Sequence, residues 1–288
     1  MNKILHITSG DIAGAGLAKA KLAGEVFVWH DILYDGPREP GWPGDDTLHA
    51  RALFLEELTG GGLHRERILK TMHDQYQRLA TAGFYERIVL WFDACLFDQS
   101  MLAHVLTCLY YQGLRQAELL CVDDFPGIEP FNGLGQLQPE QLASLYNRRS
   151  PVTDEQFEFA ASVDKAFATQ DTALLNDLAA MIEPPLPWVP AAVTRWLLER
   201  PDPATGLGRL ESLALAAIRA DCETPGKIFA SVAAADTPPQ FWGDITLWAK
   251  INGLADRVPP LVEIKGPMAR LPQWESPVPL KEFRIKAF

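Results

Sequence analysis

Acidic side chains gather where the apolar stretches in the first half of this chain end. Asp93 and Asp98 follow the run Ile88-Val-Leu-Trp-Phe92, with Gln99 beside them. Ser9, Gly10 and Asp11 follow an earlier apolar run, and Asp31 and Asp35 follow another. A carboxylate such as Asp98 or Asp93 can act as a general base, which suits group transfer or hydrolysis. Backbone N–H groups at residues 9–11, next to a helix start, suit an anionic group such as phosphate or carboxylate. Arg51 or Arg38 would add positive charge, and Asp31 and Asp35 would hold hydroxyls, an amine or a Mg²⁺ ion. A nucleotide or phosphosugar fits that mixture, so a small-molecule ligand is the expected partner. The cofactor is left open, with Mg²⁺ compatible. Each feature also has a plain structural reading. Asp98 would serve as the N-cap of the helix that follows it, and Asp31 and Asp35 as turn caps.

The elements that must position these residues are legible in the pattern. Residues 88–92 form the unbroken apolar run of a strand buried on both faces of a parallel sheet. Met101, Leu102, Val105, Leu106 and Leu109 recur at helical spacing, Gly113 ends that helix, and residues 117–122 read as the next strand. This is a β-α-β unit with its polar groups at the carboxyl ends of the strands, where open α/β sheets place ligands. A second unit precedes it: a strand over residues 3–8, a glycine-rich loop over 9–16, a short helix to Leu22 and a strand over 25–29. The spacing of Gly10, Gly14 and Gly16 is G-x-x-x-G-x-G, which departs from the dinucleotide pattern. Residues 126–138, with Gly133-Leu-Gly-Gln136, read as a loop able to fold over the strand ends as a lid. His6 reads as a satisfied core histidine.

The expected architecture is α/β. A Rossmann-like, mostly parallel domain spans residues 1–138, a helical connector spans 139–206, and a winged-helix-like domain spans 207–288. That last stretch reads as three helices and a hairpin. Its third helix, over residues 241–254, offers mainly apolar groups, with only Lys250 and Asn252 suited to base edges.

The 288 residues carry a net charge of −11. From residue 207 onward ten basic residues face nine acidic ones, against sixteen and twenty-eight before it. This balance argues against nucleic acid and anionic membrane as partners. The four cysteines (Cys95, Cys108, Cys121 and Cys222) show neither Cys-x-x-Cys pairing nor metal spacing, so the reading is a reducing cytoplasm without structural metal. There is no signal-like or membrane-spanning run. Oligomeric state is not encoded in any of these features. A non-enzymatic alternative is a ligand-sensing regulator or protein-interaction module built on the winged-helix-like domain.

Several segments together carry a family resemblance. They are Ser9-Gly-Asp11, Trp29-His-Asp31, Asp35-Gly-Pro37, Leu90-Trp-Phe92 with Phe97-Asp-Gln99, Gly133-Leu-Gly-Gln-Leu137, Gly206-Leu-Gly-Arg-Leu-Glu211 and Phe241-Trp-Gly-Asp244. In that order the chain resembles, over nearly its whole length, a bacterial family catalogued as domain of unknown function 1835. The family's run at the central strand resembles Leu-Trp-Phe-Glu-His-Asp followed by Asp-Gln. Here Asp93-Ala-Cys95 stands in place of Glu-His-Asp, which removes a histidine and an acid from the loop. The resemblance implies the fold and the position of the site.

Overall fold

A computed structural model describes residues 3–236 and 242–288. The chain divides into two compact units. One comprises residues 1–51 and 69–195, and the other residues 52–68 and 196–288.

The first unit is built on a five-stranded sheet in the order β2-β1-β3-β4-β5. In chain order the elements up to residue 197 are β1 (Ile4–Ser9), α1 (Asp11–Lys19), β2 (Glu25–Trp29), α2 (Asp45–Leu58), α3 (Arg65–Ala80), β3 (Arg87–Asp93), α4 (Leu96–Tyr111), β4 (Ala117–Val122), α5 (Pro139–Leu145), β5 (Ser150–Pro151), α6 (Asp154–Thr169), α7 (Thr172–Ala179) and α8 (Val189–Leu197), of which α2, α3 and α8 include residues of both units. Strands β1 to β4 run parallel, with Leu5 opposite Ile88 and Leu90 opposite Leu119, while the two-residue β5 runs antiparallel to β4. Ile88 to Phe92 are wholly buried, as an apolar run covered on both faces must be.

On one face, Val89, Trp91, Leu120 and Val122 pack with Ala13 and Leu17 of α1 and with Leu142 and Leu145 of α5. His6 sits on this face as a core histidine. Its Nδ1 accepts from Trp91 Nε1 at 3.0 Å while Nε2 lies 3.0 Å from the Ala23 carbonyl oxygen, and burial lowers its pKa. The other face is covered by α4, which in turn packs against α6. Helix α4 is therefore buried nearly all round: its intervening Ala103, His104, Thr107 and Cys108 are as inaccessible as the apolar residues at helical spacing.

The glycine-rich stretch departs from the expected loop. Residues 11–19 are helical, which puts Gly14 and Gly16 inside α1. A Cβ on Gly14 would overlap the Val28 side chain, and one on Gly16 would come within 2.8 Å of Leu142. These two glycines let a helix lie close on the sheet, so only Ser9 and Gly10 remain as loop before the helix.

The second unit includes α9 (Arg209–Arg219), α10 (Pro225–Ala235), α11 (Asp244–Asp256), β6 (Val262–Lys265) and β7 (Arg284–Ala287). The two strands pair antiparallel, with Ile264 opposite Ile285. Leu210, Ile218, Ile228, Val232, Leu247, Trp248, Ile251, Phe283 and Ile285 form the buried interior. Phe241, expected to open the third helix, lies outside the described residues. Asn252, one of two residues on that helix suited to a base edge, is buried. Its Nδ2 donates to the Leu271 carbonyl at 2.9 Å and its Oδ1 accepts from the Leu271 N–H at 2.8 Å. That amide pins a loop and is unavailable to a base. No helix among the described residues is long and apolar enough to cross a membrane.

Candidate functional site

β1 and β3 lie side by side at the centre of the sheet, but the chain leaves them in opposite directions. From β1 it proceeds to β2 on one side, and from β3 to β4 on the other. At such a switch point the two crossovers diverge and leave a crevice at the carboxyl ends of the strands. Ser9 ends β1 and Asp93 ends β3, and Asp98 joins them. Ser9 Oγ donates to Asp98 Oδ1, and the Asp93 backbone N–H donates to Asp98 Oδ2 at 2.7 Å. One carboxylate thus ties together two strands, the hydroxyl of one lying 89 residues before it in sequence.

Asp98 was expected at the N-cap of α4. The structure corrects this: the helix begins at Leu96, Cys95 is the N-cap, and Asp98 lies in the first turn. The cap is unusual in that the Asp98 N–H donates to Cys95 Sγ at 3.4 Å. The Asp98 carboxylate is thereby released from capping and turned toward Ser9 and Asp93.

Around this pair the hydrogen bonds close inward. The Cys95 N–H donates to Asp93 Oδ1 at 2.9 Å, and Gln99 Nε2 donates to the Asp93 carbonyl at 2.6 Å and to Cys121 Sγ at 3.4 Å. Gln99 Oε1 is buried without a partner. The loop after β4 covers the pair from outside. Gly133 (φ +132°) lies against Asp93, where an added Cβ would overlap the carboxylate, and Leu134 and Leu137 are fixed in the core beneath α1. The lid expected over residues 126–138 is therefore an anchored cover at this point.

Ser9, Asp93, Asp98 and Gln99 are all at most 8 % exposed. Burial pushes the Asp98 carboxyl well above the ordinary carboxylate range, and the neighbouring Asp93 charge pushes it further. Asp93 is also raised by burial, with hydrogen bonds from Cys95 and the Leu134 backbone pulling the other way. Two carboxyls this close and this dry resist ionising together. Burial and the two aspartates hold the Cys95 thiol protonated, which removes it as a thiolate nucleophile.

Donor atoms of Asp93, Cys95 and Asp98 lie within 4.8 Å of one another. Magnesium requires near-octahedral oxygen ligation and keeps several waters. A thiol and carboxylates that already accept from Ser9, Asp93 N–H and Cys95 N–H do not offer that. The donor set fits a shared proton and does not fit Mg²⁺.

The remaining site residues expected from sequence fall elsewhere. Arg51 and Asp31 are both buried and bonded to each other. Arg51 Nε donates to both Asp31 oxygens at 2.9 and 2.8 Å, and Nη2 donates to Oδ1 at 2.7 Å. Its other donors reach the carbonyls of Ile32, Asp35 and Pro37. Arg51 is thereby fully committed to the 31–37 loop, and Asp31 is held by Arg51 and the Ile32 N–H. Asp35 is exposed and accepts from the Gly36 N–H at 2.8 Å. Gly10 (φ +71°) precedes α1 with open space where a Cβ would stand, and Asp11 is exposed with its Oδ1 2.8 Å from His30 Nε2.

A third buried group takes up Arg38, expected as a cation for the ligand, with partners the sequence reading did not join to it. Arg38 Nη2 donates to Asp164 Oδ1 at 2.5 Å, the Gly41 N–H donates to Asp164 Oδ2 at 2.6 Å, and His104 Nδ1 is 3.1 Å from Asp164 Oδ1. Tyr76 Oη lies 2.8 Å from His104 Nε2. This also commits the Arg38 guanidinium. The available signal is an acid on the buried stripe of α6, formed by Phe157, Ala160, Val163 and Phe167.

No family model matches the chain, and no curated protein matches it.

Proposed function

We propose that the first unit is a Rossmann-like ligand-binding domain whose site lies at the carboxyl ends of β1 and β3, and that the Asp93–Asp98 pair moves a proton there. The ligand class is a phosphorylated small molecule or nucleotide, and the reaction class is transfer or hydrolysis. The observation that carries the proposal is the Ser9–Asp98–Asp93 chain across the switch point: two like carboxyls, buried with no cationic side chain paired to them among the described residues. Such an arrangement is unfavourable for folding alone and supplies a proton donor beside an acceptor. With Arg38 and Arg51 both committed, a phosphate would rest on the N–H groups at the start of α1, next to His30. Hydroxyls of the ligand would face the carboxyl pair. The second unit, in this reading, has a winged-helix-like shape that does not read base edges.

A thermal-shift screen of the whole chain against nucleotides, sugar phosphates and unphosphorylated sugars tests this. Ligand at 100 times its dissociation constant adds roughly 2.7 kcal/mol, several degrees for a chain of this size. One ligand class should shift the midpoint in the parent chain and fail to do so in Asp98→Asn and Ser9→Ala. A shift that is equal in those variants for every class that shifts the parent, or no shift with any class, removes the proposal.

A further inference from the structure

We infer that the second unit carries its own binding groove for a phosphorylated nucleoside, built between the starts of α10 and α11 and the turn before β7. The groove encloses about 760 Å³, within the range of small-molecule sites. Phe229 and Trp248 line it, together with the exposed Lys281 and Arg284. Trp248 is nearly buried there, so the half-buried Phe229 ring is the surface that suits a planar base, and the cations suit its phosphate.

Charge complementarity singles out the occupant. Arg284 is exposed, and several other exposed guanidinium groups in this chain face acids, as Arg115 does Asp154 and Arg270 does Asp256. Arg284 has its Nη1 on the carbonyls of Lys281 and Phe283, both at 2.8 Å, and no carboxylate partner among the described residues. Those two bonds fix the guanidinium in place and leave further N–H groups free. Lys281 stands beside it, exposed and likewise without an acidic partner among the described residues. The backbone adds to this field, since the N-caps Thr224 of α10 and Gly243 of α11 line the same groove and neither start has a side-chain cap.

One acid, Asp244, also lines the groove and holds the Ile245 N–H at 2.8 Å through Oδ1. A carboxylate there would repel a phosphate but accept from ribose hydroxyls. An occupant with a base, a ribose and a phosphate satisfies all three kinds of lining group. Beyond Asp244 and Trp248 an adjoining hollow of about 540 Å³, lined by Trp274, continues the groove. This inference does not depend on the site in the first unit.

The test is a titration of the full chain with AMP, followed by tryptophan fluorescence, since Trp248 and Trp274 line the groove and its extension. AMP should quench saturably, adenosine should bind at least tenfold more weakly, and inorganic phosphate should compete. Lys281→Glu, which leaves the Arg284 backbone bonds in place, should weaken AMP at least tenfold. Arg284→Gln should do the same. The Lys281→Glu loss should be the same in the Asp98→Asn chain as in the parent, which separates this groove from the site in the first unit. Absence of saturable AMP binding, or binding indifferent to Lys281→Glu, overturns the inference. So does loss in Asp98→Asn alone, which would move AMP to the first unit. A single-stranded oligonucleotide that binds where AMP does not also overturns it, because the groove would then follow a polymer backbone.

Discussion

Asp98 and Asp164 are two aspartates equally removed from water, and they sit in opposite electrostatic surroundings. Asp164 has Arg38 and His104 against it and the Gly41 N–H on its second oxygen. These hold its pKa down to about 2 despite burial. Asp98 has only a hydroxyl, a backbone N–H and another acid beside it, and its pKa is driven up. A buried acid surrounded by donors and a cation is part of the frame. A buried acid facing a second acid across a switch point has no such account, which is why the carboxyl pair is assigned the chemistry. The Arg51–Asp31 pair belongs with Asp164 in this comparison, although its position after β2 first suggests a ligand site.

The largest effect that could break the contrast comes from removing the compensated charge. Asp164→Asn leaves Arg38 and His104 facing no anion inside the unit, and breaking a buried pair in this way costs about 3–5 kcal/mol. Urea denaturation of the variant should show a loss of that order. The linkage sign follows from the lowered pKa. The contribution of Asp164 is present above its unfolded value near 3.8 and is lost as pH falls toward about 2. The parent chain should therefore lose stability in that window, and the variant should lose less there. A variant as stable as the parent at neutral pH would mean that the Arg38–Asp164–His104 group is not holding the fold.

Next in size is Gly133→Ala. The substitution forces a Cβ onto the Asp93 carboxylate at a backbone angle that side chains rarely adopt. Strain of this kind amounts to about 1–3 kcal/mol. Because Leu134 and Leu137 stay anchored, the loop should lift locally. The expected result is a modest fall in the thermal midpoint together with faster amide exchange at residues 133–134. Unchanged exchange would show that the cover does not bear on the carboxyl pair.

These groups were unequally visible in the sequence. The strand at residues 88–92 is legible because a run buried on both faces contains nothing polar, and local composition alone carries that. Gly14 and Gly16 are not legible, since their reason is the approach of Val28 and Leu142, which no local pattern records. Asp93 and Asp98 are visible as acids at a strand end, but their partner Ser9 is 89 residues away and comes near only because β1 and β3 are neighbours in the sheet. Arg38, His104 and Asp164 are separated by 66 and 60 residues on a loop and two helices. Only the acid set in an apolar helical stripe hints at them. Spacing reports what lies along one element; charge compensation is a property of several packed together.

The smallest effect is the one that separates the two aspartates most sharply, because it has the opposite sign. Asp98→Asn keeps the shape and the acceptor for the Asp93 N–H, and its amide can donate to Ser9 Oγ once that hydroxyl turns. It removes a group that resists ionisation in the folded chain but not in the unfolded one. Asp98 binds its proton more tightly when folded, so its favourable contribution is complete below the unfolded value near 3.8 and declines as pH rises toward the folded one. The parent chain should thus lose some stability as pH climbs out of the acidic range. Asp98→Asn should flatten that slope and equal or exceed the parent at pH 8. Urea midpoints across pH 4–8 for both proteins measure this directly. A large loss at pH 8, of the kind expected for Asp164→Asn, would place Asp98 among the compensated acids and transfer it from the site to the frame.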